Sequence, residues 1–419
     1  RMKIFKFGGM SIKDAEGFKN VTHIIDKHRK SDLVCVISAL GKTTNHLEEL
    51  TTAFYHRTSG KKKYFDEIKS EHQRVMTALF EEDDREALQA VQALFDILEG
   101  YLQKEPSENF DFEYDQIVSF GELFSSTILF QYMRKQGMPV VSLDARKLII
   151  TDTSYREARV DWEKTERKIQ KAVLQQLKMG NIVLTQGFIG GSTEGISTTL
   201  GREGSDFSAA IFAYVLNAEN VSIWKDVEGL LNADPKKFEH TVKLDKISYR
   251  EAIELAYYGA SVIHPKTLKP LQNKNIPLLV KSFIHSDGEG SIIHDFKNQK
   301  MIPCFIKKTN QILLSISPKD FSFIAEENLS TIFAIFAFFG FKINLMQNSA
   351  ISFSVCVDHR QNLDQLIEEL QTEFYVKYNQ NVELLTVRHY KTDSLTGLIE
   401  HKKVILEQRN RTTLQVVLK

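Results

Sequence analysis

Residues 6–11 (KFGGMS) place a lysine at the end of an apolar run, then two glycines, then a hydroxyl. Glycines let backbone N–H groups approach phosphate oxygens, and a helix N-terminus favours anions. A lysine beside such a turn neutralises charge on a transferring phosphoryl group. The plainer alternative is a βα turn whose lysine is merely solvated. A second loop, 197–206 (STTLGREGSD), gathers hydroxyls, two glycines, Arg202 and a carboxylate at a helix start. Arginine grips a carboxylate through two parallel charge-assisted bonds, each worth about 1.5–3 kcal/mol. Asp206 alone would pass for a helix cap, but capping leaves Arg202 unexplained. Glu122, in Phe120-Gly121-Glu122, also stands at a helix start, where a carboxylate is favourable for structural reasons alone. Gly41-Lys42-Thr43 looks like the end of a P-loop. The glycine that motif needs five residues earlier is Val36, so a P-loop is rejected.

These residues need a sheet edge to hold them. Residues 3–7 read as a buried strand, and 14–30 as a helix with Phe18, Val21, Ile24 and Ile25 on one face. Residues 33–38 read as a second strand, which makes a βαβ unit and a mostly parallel sheet. Ser38 and Thr44 then face the carboxyl edge, where open α/β sheets bind ligands. The charged, proline-free stretch 46–105 is expected to be a helical excursion. A helix over 115–137 and a strand over 139–144 follow. Residues 181–187 read as a strand, 190–205 as a loop, 206–216 as a helix, 221–225 as a strand, 249–258 as a helix and 276–282 as a strand. Through about residue 296 this is one α/β domain.

Beyond about residue 298 short strands alternate with two helices: strand 311–316, helix 329–339, strands 342–347 and 351–357, helix 363–374, strand 382–387. That order is βαββαβ. Strand candidates at 404–407 and 413–418 are too few for a second full unit. They would complete a shortened one with a spare strand at 304–307.

Bulk properties exclude several classes. Lys+Arg and Asp+Glu balance at 54 each, so no basic excess points to nucleic acid. Cys35, Cys304 and Cys356 are odd in number and widely spaced, fitting neither a metal pair nor a disulfide framework. The apolar run 332–341 is far short of the ~20 residues of a membrane span. Lys3 and Lys6 interrupt any apolar leader after Met2, so a cytoplasmic protein is expected.

Taken in order, the motifs resemble those of aspartate kinases, in the amino-acid kinase superfamily. The family's KFGGTS corresponds to residues 6–11, its serine-alanine strand end to Ser38-Ala39 and its TN pair to Thr44-Asn45. Its GE pair is Gly121-Glu122. TQGFIG stands at 185–190, TTLGRGGSD corresponds to 198–206, and a WTDVPG-like element to 224–229, followed by Asp234-Pro235. FGAKVLHP corresponds to 258–265. The likeness covers residues 3–296, and the tail looks like paired ACT domains. It implies a catalytic domain over 2–297 and a regulatory tail over 298–419. The tail would hold one full ACT-like unit at about 311–388 and a shortened one from about 299–310 and 389–419.

The resemblance also implies roles. Lys6 would stabilise the γ-phosphoryl of ATP, and Gly8, Gly9 and Ser11 would shape the phosphate turn. Glu122 would hold the ammonium of L-aspartate and Arg202 its α-carboxylate, with Ser38, Thr44 and Ser205 completing the pocket. Asp206 would orient Lys6 and a Mg²⁺–phosphate network, with no separate protein-built metal site. Lys225, Asp226, Leu231, Lys236, Ser261 and Val262 would line the nucleotide site. The attacking carboxylate is ionised at neutral pH, so no general base is needed. His264 is read as structural.

Met10, Glu203, Lys225 and Ser261 depart from the family pattern, which leaves nucleotide affinity less defined than substrate identity. In the tail, 327–330 (ENLS) and 347–350 (QNSA) lack the glycine and glutamate of lysine-binding ACT domains. The effector therefore stays open, and a purely dimer-forming tail is the bland alternative. No homoserine dehydrogenase-like segment follows the tail, so a monofunctional enzyme is expected. The other readings are a kinase acting on glutamate or acetylglutamate, and a catalytically weak amino-acid sensor.

Overall fold

Alternation of Ile4, Phe5 and Phe7 with lysines makes Met2–Phe7 (β1) the first strand of an eight-stranded sheet in the computed structural model, which describes residues 1–419. The chain divides into two units. The first holds residues 1–230, 243–253 and 263–297, the second 231–242, 254–262 and 298–419.

In the first unit the strands are β1, Asp32–Ile37 (β2), Val140–Leu143 (β3), Ile182–Gln186 (β4), Asn220–Lys225 (β5), Lys246–Ser248 (β6), Leu278–Ser282 (β7) and Ser291–His294 (β8). Their order is β6-β8-β7-β5-β1-β2-β4-β3. Only the β7–β8 pairing is antiparallel. Phe7 is level with Ile37 and Trp224, and Ile37 with Gln186, so four parallel strands end side by side. The chain leaves β1 toward β2 while β5 flanks its other side. The carboxyl edge beside β1 is therefore a switch point of the kind where α/β sheets take ligands.

Helices cover both faces. Ala15–Lys27 (α1) and Phe120–Lys135 (α6) lie over Phe5, Phe7, Cys35 and Ile37. Outside them Thr43–Tyr55 (α2), Lys61–Leu79 (α3) and Arg85–Leu102 (α4) form the expected helical excursion, with Phe95 stacked on Phe124 at 4.0 Å. Trp162–Lys178 (α7) and Gly204–Leu216 (α8) pack on the sheet, and Tyr249–Tyr257 (α9) and Pro265–Asn273 (α10) follow. The helix α8 is buried nearly all round because Ser208, Ala209, Ala210 and Ala213 let it sit close.

Two local expectations change. The helix over 115–137 breaks at Ser119 into Phe110–Val118 (α5) and α6. Ser11 does not open α1. It lies in a tight turn, Gly9–Ile12, and Asp14 caps α1 by accepting from Gly17 N at 2.8 Å.

The second unit is built on an antiparallel sheet of Cys304–Pro318 (β9), Ile343–Asn348 (β10), Phe353–Asp358 (β11), Phe374–Arg388 (β12), Val404–Arg409 (β13) and Thr413–Leu418 (β14), in the order β10-β11-β9-β12-β14-β13. Glu326–Phe338 (α11) and Leu363–Gln371 (α12) bury Ile332, Phe336, Leu366 and Leu370 against Ile312, Leu314 and Ile316. The strands expected at 304–307 and 311–316 are one strand. Its register slips between Lys308 and Gln311, where Asn310 takes φ 52°. The helix expected over 363–374 stops at Gln371, and Phe374 starts a strand that runs on through 382–387. Residues 389–403 supply turns and no helix. Leu385, Val387, Leu414 and Val416 are covered instead by Phe238, Leu395 and Leu398. No helix is long and apolar enough to cross a membrane.

Two glycines test the packing. A Cβ on Gly9 would lie 2.6 Å from Gly41 O, whereas one on Gly100, within α4, would meet nothing inside 4 Å. Gly9→Ala should lose about 1–3 kcal/mol in urea unfolding, while Gly100→Ala should gain roughly 0.5–1 kcal/mol from helix propensity. Equal stability of the two variants would contradict this packing.

Candidate active site

The end of β1 turns so tightly that only glycine fits. Gly9 is held against the loop after β2, where Gly41 N donates to Gly9 O at 3.1 Å and Ser38 N to Phe7 O at 3.0 Å. The Ser11 hydroxyl is buried and donates to Gly8 O at 2.5 Å, so it shapes the turn from beneath. Above the turn, a Cβ on Gly8 would lie 3.3 Å from the Lys6 ammonium. Lys6 Nζ meets Asp206 Oδ1 at 2.8 Å, both nearly buried. Asp206 is therefore not the cap of α8; Glu203 holds that position, in the left-handed region at φ 54°, without a side-chain cap bond. Removing one partner of such a buried pair strands the other at about 3–5 kcal/mol.

Glu122 enters from the first turn of α6. Gly121 makes this possible, since a Cβ there would lie 2.9 Å from Ala39 Cβ. One carboxyl oxygen of Glu122 accepts from Ala39 N at 3.3 Å, and the other is buried with no partner. Burial pushes the pKa up to about 8, against weaker lowering by backbone hydrogen bonds. A buried oxygen without a donor is costly, and it marks a place for a cationic or hydrogen-bonding ligand group.

Opposite chemistry comes from the loop before α8. Arg202 is exposed and makes no ion pair. Ser205 sits against Gly187, where a Cβ would come within 2.6 Å of its Oγ. Asp115 of α5 organises this wall from below. It accepts from Thr199 Oγ1 at 2.6 Å, Thr199 N at 2.9 Å and Arg156 N at 3.1 Å. Burial raises the Asp115 pKa to about 6 despite those bonds.

Together these groups line one cleft of about 1090 Å³. It brings together Lys6, Gly9, Ser38, Thr44, Glu122, Arg202, Ser205, Asp206 and Lys225. Gly8 and Ser11 support it through the turn. Asp226 follows Lys225 but is not among the lining residues. Leu231, Lys236, Ser261 and Val262 belong to the second unit. His264 caps α10, its Nδ1 accepting from Lys266 N at 3.1 Å. The sequence reading missed Tyr114, Arg156 and Arg159, which also line the cleft. Arg156 stacks on Tyr114 at 4.2 Å and takes φ 57°, a left-handed conformation that its residue type does not announce.

No cluster of three metal-ligating side chains is present. Of the carboxylates that line the cleft, Asp206 is the one ion-paired to Lys6. That donor set fits Mg²⁺ carried in on phosphate oxygens, an ion that keeps most of its waters and takes one or two carboxylates.

The profile described as "Amino acid kinase family" matches residues 1–282. The chain belongs to the amino acid kinase family. It is 29% identical to a bifunctional aspartokinase/homoserine dehydrogenase 2 (chloroplastic) of Arabidopsis thaliana, over 84% of this chain but 39% of that protein. It thus spans about two fifths of the length of that relative. Aspartokinase 1 (chloroplastic) of Arabidopsis thaliana is 28% identical, over 97% of this chain and 72% of its own length. The crystal structure of E. coli aspartokinase III in complex with lysine and aspartate superposes with a TM-score of 0.84 at 25% identity, covering 99% of this chain and 95% of that one. The mostly parallel sheet with helices on both faces is thus an amino-acid kinase fold, followed by an antiparallel α+β region.

Glu122 makes a pH-dependent prediction. In the unfolded chain its proton leaves near the ordinary glutamate value of 4.5, but in the folded protein it stays to about 8. The folded state binds more protons between those values, so this group's contribution to stability falls as pH rises through that window. Glu122→Gln lacks the titration. Its melting temperature relative to the parent should climb from about pH 5 to about pH 8, and a pH-independent difference would show that Glu122 is not buried this way.

Proposed function

We propose that the protein is an aspartate kinase, moving the γ-phosphoryl of ATP to the β-carboxylate of L-aspartate to give L-4-aspartyl phosphate and ADP. This is the first step toward lysine, threonine and methionine, carried out in the cytoplasm. The observation that carries the reading is the pairing of an unanswered buried carboxyl, Glu122, with a free guanidinium, Arg202, in the cleft that holds Lys6. An α-amino acid supplies an ammonium for the first and a carboxylate for the second. Acetylglutamate has no ammonium and offers Glu122 only a neutral amide N–H. Aspartokinase relatives, and the aspartate in the E. coli structure, support the same choice.

The chemistry then follows from charge. Aspartate and ATP are both anionic and must be brought together against repulsion. Arg202 holds the α-carboxylate, Glu122 the ammonium, and Ser38, Thr44 and Ser205 the remaining polar edge. The β-carboxylate attacks unaided because it is already ionised. Lys6, fixed by Asp206, follows the charge on the γ-phosphoryl as its bond to the β-phosphate breaks. Mg²⁺ offsets phosphate charge when bound. Within the first unit, Lys225 and Asp226 are assigned to the nucleotide.

We assign residues 2–297 to catalysis and 298–419 to regulation. In the tail, about 311–388 form a complete ACT-like unit, and about 299–310 with 389–419 a shortened one. Exposed Phe321 (87%), Phe323 (76%) and Phe338 (83%) on the second unit suit a homodimer contact. Lysine in the E. coli structure makes a free amino acid the natural effector class for the tail.

Purified protein should release ADP with aspartate and Mg-ATP, and far less with glutamate or acetylglutamate. Lys6→Ala should lower kcat by roughly 10²-fold or more. ADP release that does not depend on aspartate, or near-normal kcat in Lys6→Ala, would refute the assignment.

A further inference from the structure

Lys266 stands where a lysine is hard to explain. It is the second residue of α10, and helix N-termini disfavour cations. It is half-buried, and desolvation lowers its pKa, with only the more distant Glu157 acting against that. Its ammonium makes no ion pair. Three unfavourable circumstances meet on one side chain that could have remained in water.

Its two contacts give the reason. Lys266 Nζ donates to the carbonyl of Leu200. It also lies over the ring of Phe207, 4.5 Å from the centroid. Leu200 immediately precedes Gly201-Arg202, and Phe207 immediately follows Ser205-Asp206. One ammonium therefore clamps both ends of the segment that carries Arg202, Ser205 and Asp206. The segment needs a clamp. Gly201 and Glu203 both take left-handed φ, at 83° and 54°, and Arg202 itself has no partner to fix it. The helix bearing the clamp is anchored in turn: just past its end, Lys274 Nζ donates to Tyr214 O at 2.6 Å and Asn217 Oδ1 at 2.9 Å, at the far end of α8.

We infer that Lys266 is a positioning residue for substrate binding. It acts from outside the cleft by holding the 200–207 segment so that Arg202 meets the substrate carboxylate without first ordering its own loop. The inference rests on the aspartate-kinase reading through Arg202. It separates the two substrates: Asp206 keeps its own anchor on Lys6, so loss of the clamp loosens Arg202 and the amino-acid site and leaves the ATP site nearly intact.

The test compares Lys266→Met, which keeps the apolar stem, with Lys266→Arg, which keeps charge and donors, in the full-length protein. Lys266→Met should raise KM for aspartate about 10- to 150-fold, the value of one charge-assisted hydrogen bond, with KM for ATP within about twofold. Amide exchange at residues 201–205 should speed up in that variant. Lys266→Arg should recover most of both effects. Unchanged KM for aspartate in Lys266→Met overturns the inference. So does a parallel rise in both KM values, or an Arg variant no better than Met. If Lys266→Met does not fold, Lys266→Gln is read by the same criteria. Arg202→Ala serves as the control. If it weakens aspartate binding while Lys266→Met does not, only the clamp is wrong. If it also leaves aspartate binding unchanged, the substrate reading itself fails.

Discussion

One ion pair joins residues two hundred positions apart. Lys6 at the end of β1 and Asp206 in the first turn of α8 meet at 2.8 Å, largely out of water. Everything else in the cleft is arranged around that contact. The glycine turn lies beneath Lys6 because Gly9 packs on Gly41 O. The 200–207 segment is where it is because Asp206 must reach β1 while Lys266 holds the segment itself and Asp115 holds Thr199 just before it. An isolated buried pair is weak support for stability, since desolvation offsets most of the attraction. Its value here is placement: a cation that cannot wander, at the switch point of a parallel sheet.

Glu122 is the counterpart. A buried polar oxygen without a partner calls for an explanation, and a ligand group is one. The carboxyl is brought to the cleft by Gly121, half-satisfied by Ala39 N, and held protonated near neutrality by burial. An arriving ammonium reverses that balance by supplying the missing charge. In the proposed reading, Glu122 and Arg202 take the two ends common to every α-amino acid.

Much of this was legible in the sequence because it is local. Glycines and hydroxyls at 6–11 and 197–206 announce turns that bind anions, and the apolar runs at β1, β2, β4 and β5 announce buried parallel strands. What was not legible is set by tertiary contact. By residue type alone Asp206 reads as a cap; the family resemblance implies that it orients Lys6, and the fold brings the two together. The helix start read at Phe120-Gly121-Glu122 fits the break at Ser119, but the continuous helix read over 115–137 hid it; the break lets Asp115 and Glu122 face different partners. Arg156 in a left-handed conformation is held by Asp115 across the fold. In the tail, 304–307 and 311–316 look like two strands because Asn310 and its neighbours are polar. The sheet instead absorbs them as a slip within one long strand.

The account stands or falls on Glu122 receiving the substrate ammonium. Calorimetry of aspartate binding at pH 7, in two buffers of different ionisation enthalpy, measures it directly. About one proton should be released per aspartate bound, as a carboxyl with pKa near 8 gives up its proton to pair with the ammonium, and Glu122→Gln should release none. A binding enthalpy that does not change with buffer would contradict the account.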